Sequence, residues 1–160
     1  MQAPAGISGG VSVQVIRDGV SGNTVTANAV SNAPGLFTYA LGSKTFPSAL
    51  YNGTYTIVGD PALYSSAAKA KAGDIIELYA TGLGASPAGN VISSPITFAS
   101  PVTVSIGSAN VTASFAGLVG VGLFQINFTV PAGLAEGDYS LAIKVNGVAS
   151  QGGVILPVTH

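Results

Sequence analysis

Apolar and polar residues alternate with a period of two along much of the chain. Val11, Val13 and Val15 alternate with Ser12 and Gln14, and Val102, Val104 and Ile106 with Thr103 and Ser105. Val111, Ala113 and Phe115 alternate with Thr112 and Ser114, and Phe124, Ile126, Phe128 and Val130 with Gln125, Asn127 and Thr129. Leu141, Ile143 and Val145 alternate with Ala142 and Lys144. Successive side chains of a strand point to opposite faces, so each run predicts a strand with one buried face. The polar members are mainly Ser, Thr, Asn and Gln, which suit an open strand face. Asp18-Gly19, Asn52-Gly53 and Asn146-Gly147 fall between such runs. These pairs tolerate the positive φ that tight hairpin turns require. Many short strands separated by turns predict an all-β sandwich. Ala62 to Ala72 is rich in Ala and Lys and has good helix propensity. It lacks an apolar stripe beyond Leu63 and reads as a loop leading into a strand at Ile75–Ala80.

An internal similarity organises the chain. Ala3-Pro4-Ala5-Gly6-Ile7 resembles Val130-Pro131-Ala132-Gly133-Leu134. At a nearly constant offset, Val13, Val15 and Asp18-Gly19-Val20-Ser21 line up with Leu141, Ile143 and Asn146-Gly147-Val148-Ala149. Both stretches read as a Pro-Ala-Gly turn, a strand, an Asx-Gly turn and a second strand. On this reading residues 1–29 form the closing hairpin of a preceding unit, and residues 30–160 are one complete unit. A lone hairpin presenting Val11, Val13, Val15 and Val25 is marginal in water, so it must pack on the complete unit or on another chain. Packing within the chain is the plainer expectation, and strand addition between chains is the other.

Composition narrows the chemistry. The chain has 160 residues, 48% of them hydrophobic and only 7% charged, with a net charge of −1, no Cys and one His. It is too apolar for intrinsic disorder and carries no basic footprint for nucleic acid. Disulfide scaffolds, thiol chemistry and sites needing two histidines are excluded. The start, Met1-Gln2-Ala3-Pro4-Ala5-Gly6, does not read as a signal peptide. The longest apolar run, Phe115 to Phe124, is interrupted by glycines and is shorter than the ~20 residues a spanning helix takes. No membrane insertion is expected. No residue from Leu78 to Ala135 is charged. Sheets normally use charge, Lys above all, to stop edge-to-edge association, so the surface is read as tolerant of, or built for, protein contact.

Several blocks, taken in order, resemble a known family. They are Ala33-Pro34-Gly35-Leu36-Phe37, the run from Gly73 to Gly84 (Gly-Asp-Ile-Ile-Glu-Leu-Tyr-Ala-Thr-Gly-Leu-Gly), Phe115-Ala116-Gly117-Leu118, Gly122-Leu123-Phe124-Gln125-Ile126-Asn127, Val130-Pro131-Ala132-Gly133, and Val145-Asn146-Gly147-Val148-Ala149-Ser150. Together they resemble the uncharacterised C-terminal domain family of Solibacter-type acidobacteria. The similarity runs from about Ala33 to Val158. The link Leu118-Val119-Gly120-Val121-Gly122 is shorter than the family's pattern and lacks its Pro. The resemblance implies an Ig-like fold at the end of a large, secreted, repetitive bacterial protein. It implies an extracellular or cell-surface setting and no established activity. The expected architecture is therefore an Ig-like antiparallel β-sandwich with an additional N-terminal β-hairpin.

A search for chemistry leaves few candidates. The one imidazole, His160, is the last residue. Nucleophilic triads need a base beside the nucleophile, and none is in view. Asp18, Asp60, Asp74 and Asp138 each have a local turn explanation. Glu77, mid-strand between Ile76 and Leu78, faces water on an edge or bent strand, or else pairs with a Lys as a buried charge. Glu136 and Asp138 in one turn are a weak calcium candidate. Gly82-Leu83-Gly84 lacks the Lys and helix of a phosphate loop. No catalysis, cofactor or metal is expected. Val11, Val13, Val15 and Val25 are the candidates for self-contact, with neighbouring repeat units or copies of the chain as partners. The alternative is a carbohydrate-binding accessory module using Tyr39, Tyr51, Tyr55 and Tyr64 as stacking platforms for a polysaccharide, although the chain lacks Trp, the largest such surface.

Overall fold

A computed structural model describes residues 6–85, 95–98 and 100–160. Among them the regular structure is all strand. Two strands, β1 (Gly9–Arg17) and β2 (Val20–Ala29), form a separate antiparallel ribbon. The rest of the chain supplies β3 (Gly35–Leu36), β4 (Thr38–Leu41), β5 (Lys44–Pro47), β6 (Ala49–Tyr51), β7 (Ile57–Val58), β8 (Ala67–Ala68), β9 (Ala70–Lys71), β10 (Ile75–Thr81), β11 (Ile96–Thr97), β12 (Val102–Ile106), β13 (Ala109–Thr112), β14 (Phe115–Gly120), β15 (Leu123–Thr129), β16 (Gly137–Val145), β17 (Val148–Ala149) and β18 (Val154–Thr159).

These build two sheets of eight strands. One runs β11-β14-β15-β10-β6-β7-β8, with β3 beside β6 on the same edge of β10. The other runs β13-β12-β16-β18-β5-β4, with β17 beside β18 on β16 and β9 beside β5 on β18. Pairing is antiparallel except where β18 meets β5 and β9, and where β7 meets β8.

The alternation in the sequence becomes the core. In the first sheet Ile76 lies opposite Phe128, Leu78 opposite Ile126 and Ala80 opposite Phe124, and all six are buried. In the second, Val104 lies opposite Ile143, Ile106 opposite Leu141, and Leu141 opposite Val154, again all buried. The two inner faces belong to one continuous apolar cluster. This is the layered arrangement of a β-sandwich. Each large side chain so buried contributes roughly 1.5–3 kcal/mol.

The structure divides one run that the alternation joins. Val111 belongs to β13 in the second sheet and Phe115 to β14 in the first. Between them Ala113 donates its N–H to Val102 and Ser114 donates to Asn127, so the chain changes sheets there. The alternation continues in the sequence, but sidedness changes at the crossover: Val111, opposite buried Val104, faces the core, whereas Phe115 lies opposite Asn127 on the outer face of β14 and its neighbours Ala116 and Leu118 point inward. Ala62 to Ala72 contains turns and the short strands β8 and β9.

The segment between ribbon and sandwich is tied to the sandwich. Asn32 donates its side-chain amide to the Leu83 carbonyl (2.5 Å), and the Ala33 N–H donates to the Gly82 carbonyl (2.9 Å). Asn146 donates to the Asn32 side-chain oxygen (3.1 Å). Gln151 acts as a substitute strand: its amide donates to the Leu36 carbonyl (2.7 Å) while its oxygen accepts the Leu36 N–H (2.9 Å). Gly82 makes this approach possible. It has φ +73°, and a Cβ there would stand 1.9 Å from the Ala33 oxygen.

Gly82→Ala is therefore expected to cost at least ~2 kcal/mol in urea unfolding, from backbone collision plus left-handed strain. Gly133→Ala has a similar φ of +85° but open space around its Cβ position, and should lose only the conformational ~1 kcal/mol. Equal losses at the two positions would rule out the close approach as the cause.

Candidate functional site

The ribbon is the feature whose side chains the fold leaves open. Its turn is Asp18-Gly19, with φ +51° and +79°, positive at both central positions as a type I′ hairpin needs. That turn sets the register: Arg17 faces Val20 and Ile16 faces Ser21. A bulge follows, with Val15 between ladder pairs, and then Gln14 faces Thr24, Val13 faces Val25 and Val11 faces Ala27. Directly opposed residues share a face. One face thus carries Val11, Val13, Val15, Val25, Ala27 and Ala29, and the other carries Ser12, Gln14, Thr24, Thr26 and Asn28, with Ile16 and Ser21 near the turn. The ribbon is amphipathic, and its apolar face is uncovered. Val13 is 42%, Val15 63% and Val25 61% exposed, while Val11 nearer the base is half-buried. The four valines singled out from the sequence are brought onto one face. That face is not packed onto the sandwich of the same chain, contrary to the plainer expectation.

Sequence reasoning passed over Val20, which the turn places opposite Arg17 on the same apolar face and which is 72% exposed. Its position was readable, because Asp18-Gly19 specifies the pairing on either side. Arg17 and Asp18 form an open ion pair at 3.6 Å at the tip.

The four tyrosines separate into two kinds. Tyr39 stacks on Phe46 with centroids 5.6 Å apart and donates its hydroxyl to the Val58 carbonyl (3.1 Å). Tyr51 packs against the core and donates to the Lys69 carbonyl. Both spend their polar handle inside the fold. Tyr55 (96% exposed) and Tyr64 are open. Burial, with Tyr64 nearby, raises the Tyr39 pKa. Burial, reinforced by the negative charge of Asp74, pushes Tyr51 up to about 12.

The carboxylates are engaged in structure. Glu77 sits half-buried on the outer face of β10, where Oε1 accepts the Gly53 N–H (3.2 Å) and Oε2 accepts the Tyr79 hydroxyl (3.2 Å). Beside it Asn127 accepts from Gln125 (2.9 Å) and donates to Asn52 (3.2 Å), a polar network across β15, β10 and the turn after β6. Single-strand periodicity gives no hint of this network, because its members come from three separate segments. Asp138 pairs with Lys44 (2.7 Å) and Glu136 with Lys69 (3.5 Å), so the calcium candidates face different lysines. That hydrogen bond to Asp138 raises the Lys44 pKa against a smaller opposing effect of burial. His160 is exposed. Among the described residues no three His, Cys, Asp or Glu side chains cluster as a metal site, and no helix is long and apolar enough to cross a membrane.

No protein-family model, curated protein or solved structure matches this chain.

An alkaline titration tests the tyrosine environment. An unfolded Tyr loses its proton near pH 10. Folded Tyr51 holds its proton to about 12, so between those values the folded state binds more protons than the unfolded one. Stability is then full below pH 10 and falls as pH rises toward 12. Tyr51→Phe is expected to flatten that fall in urea unfolding at successive pH values, with a residual slope from Tyr39, Tyr79 and Lys44, whose pKa values are also raised.

Proposed function

We propose that this chain is a non-catalytic structural module of an extracellular or cell-surface protein, and that it works by contact, holding neighbouring units or copies of itself together. The observation that carries the reading is the open apolar face of Val13, Val15 and Val25 on a ribbon of only two strands. Such a ribbon is marginal alone, and covering its apolar face is favourable by roughly 25 cal/mol per Å². The ribbon edges add unpaired backbone groups that a further strand can use. The scarcity of charge supports the same reading, since little on the sheet surfaces repels a second copy. The Ig-like assignment, the bacterial repeat-protein setting and the extracellular location rest on the family resemblance. The two-sheet core is compatible with them. The polysaccharide alternative loses support at Tyr39, whose ring stacks on Phe46, and at Tyr51, which packs against the core, and keeps only the open Tyr55 and Tyr64.

Light scattering over a concentration series tests the contact role. The 160-residue chain is expected to gain mass as concentration rises. Val13→Asp with Val25→Lys, an opposed pair of opposite charge, should hold it monomeric, with thermal stability within about 0.5 kcal/mol of the parent because both sites are exposed. A parent chain that stays monomeric throughout would remove assembly between separate chains.

A further inference from the structure

The ribbon and the hairpin at the other end of the chain have one pairing scheme. In the sandwich, β16 pairs with β18 through Gly137:Val158, Asp138:Pro157, Tyr139:Leu156, Ser140:Ile155 and Leu141:Val154. The ribbon pairs through Gly9:Ala29, Gly10:Asn28, Val11:Ala27, Ser12:Thr26 and Val13:Val25. Step for step the two ladders coincide. Toward the turn they coincide again: Lys144:Ala149 and Val145:Val148 in the sandwich match Ile16:Ser21 and Arg17:Val20 in the ribbon. Both turns put an Asx and a Gly at positive φ, Asn146-Gly147 at +48° and +82°, Asp18-Gly19 at +51° and +79°. Both ladders are interrupted at the same place, between the turn-proximal pairs and the long run, with the interruption one residue shorter in the ribbon. Gly6 and Gly133, which precede the two hairpins, also share a positive φ, +81° and +85°. Ala3-Pro4-Ala5, the start of the sequence similarity, lies outside the described residues.

What differs is burial. Leu141, Ile143, Val154, Leu156 and Val158 are at most 1% exposed, because the hairpin is enclosed. On one edge β12 pairs with β16, on the other β5 and β9 pair with β18, and the opposite sheet covers the face. The ribbon residues in the same places are Val13, Val15, Val25, Ala27 and Ala29, each small and apolar, and they face solvent or only the ribbon base. The sandwich does not need the ribbon, since its own hairpin already fills that place.

From this we infer that the ribbon is a closing hairpin held out for a second body of the same fold, one lacking its own last hairpin. The interface is already present once in the chain, between β16–β18 and the strands around them. The occupant's equivalent of β12 pairs antiparallel along β1. Its equivalents of β5 and β9 lie parallel along β2, and its β10–β15 sheet covers the valines. A second intact copy of the chain is a poorer occupant, because it would have to expel its own β16–β18. This inference rests on the contact role proposed above and names the partner and the register.

The test adds such a body to the intact chain. A copy of residues 31–129 is fused directly before Ala3, so that it runs into the ribbon as Thr129 runs into Val130. Two results are expected. Amides of Val11 to Ala27 should exchange at least ~100-fold more slowly than in the 160-residue chain, as strands inside a cooperative unit do. The chain lacks cysteine, so introduced pairs report register cleanly. Thr103 faces Lys144 in the sandwich, so Thr103→Cys in the added copy should form a disulfide with Ile16→Cys. The shifted pair, Ser105→Cys in the added copy with Ile16→Cys, should form it at least ~10-fold more slowly, because its Cα separation exceeds disulfide geometry. Thr103→Cys with Lys144→Cys in the parent chain sets the reference rate.

Unprotected ribbon amides, equal rates for the two pairs, or an added body with no cooperative unfolding of its own would each overturn the inference. That failure is separate from failure of the contact role. A chain that self-associates through the valines while the extended chain leaves the ribbon unprotected keeps the contact and loses the closing-hairpin register.

Discussion

A β-strand with one apolar face is stable only when something covers that face. In the sandwich each sheet covers the other: Ile76, Leu78, Ile126 and Phe128 from one meet Val104, Ile106, Leu141 and Ile143 from the other in a single cluster. The surrounding features serve that enclosure. Gln151 replaces a missing strand beside Leu36, Gly82 lets Ala33 approach, and Lys44 ties β5 to the start of β16 through Asp138. The ribbon obeys the same alternation and lacks the second layer. Its open valines are thus the same physical demand, unmet within the described residues.

The scarcity of charge follows a related logic. Each charged side chain other than Arg17 and Asp18 that forms an ion pair does so on the sandwich, where Lys44, Lys69, Asp60, Asp138 and Glu136 pair with one another. Exposed pairs of this kind contribute little to stability. Their use in holding strand ends leaves few free charges to keep sheets apart. The outer face of β10 and β15 relies instead on neutral groups, with Glu77 capped by Gly53 and Tyr79 and with Asn127 bridging Gln125 and Asn52. A carboxylate so used is an anchor for a turn and a neighbouring hydroxyl.

Much of this architecture is legible in the sequence alone. Strict alternation marked β1, β12, β15 and β16 and named their apolar faces, because a pleated strand converts sequence parity directly into sidedness. The turns at Asp18-Gly19 and Asn146-Gly147 were equally legible, since few residues accept positive φ at both central positions, whereas at Asn52-Gly53 only the glycine has positive φ and residues 52–56 make a longer link between β6 and β7. Parity also identified Val11, Val13, Val15 and Val25 as one face. It failed at Phe115, which continues the alternation of Val111 and Ala113 in the sequence but lies beyond a change of sheet, where Ala116 and Leu118 take the inward positions. It was silent on the network of Glu77, Asn127 and Asn52, whose members are close only after β6, β10 and β15 pair.

The amino-acid order alone therefore determined the all-β character, the strand faces and the hairpin turns, all of which are local consequences of side-chain parity and backbone sterics. Only the tertiary structure decided which of two similar hairpins is enclosed. Val13 and Leu141 have the same local pattern and the same cross-strand partner type, and one is open while the other is buried. Burial is a property of what lies across the sheet and along its edges, and those neighbours come from segments far away in the chain.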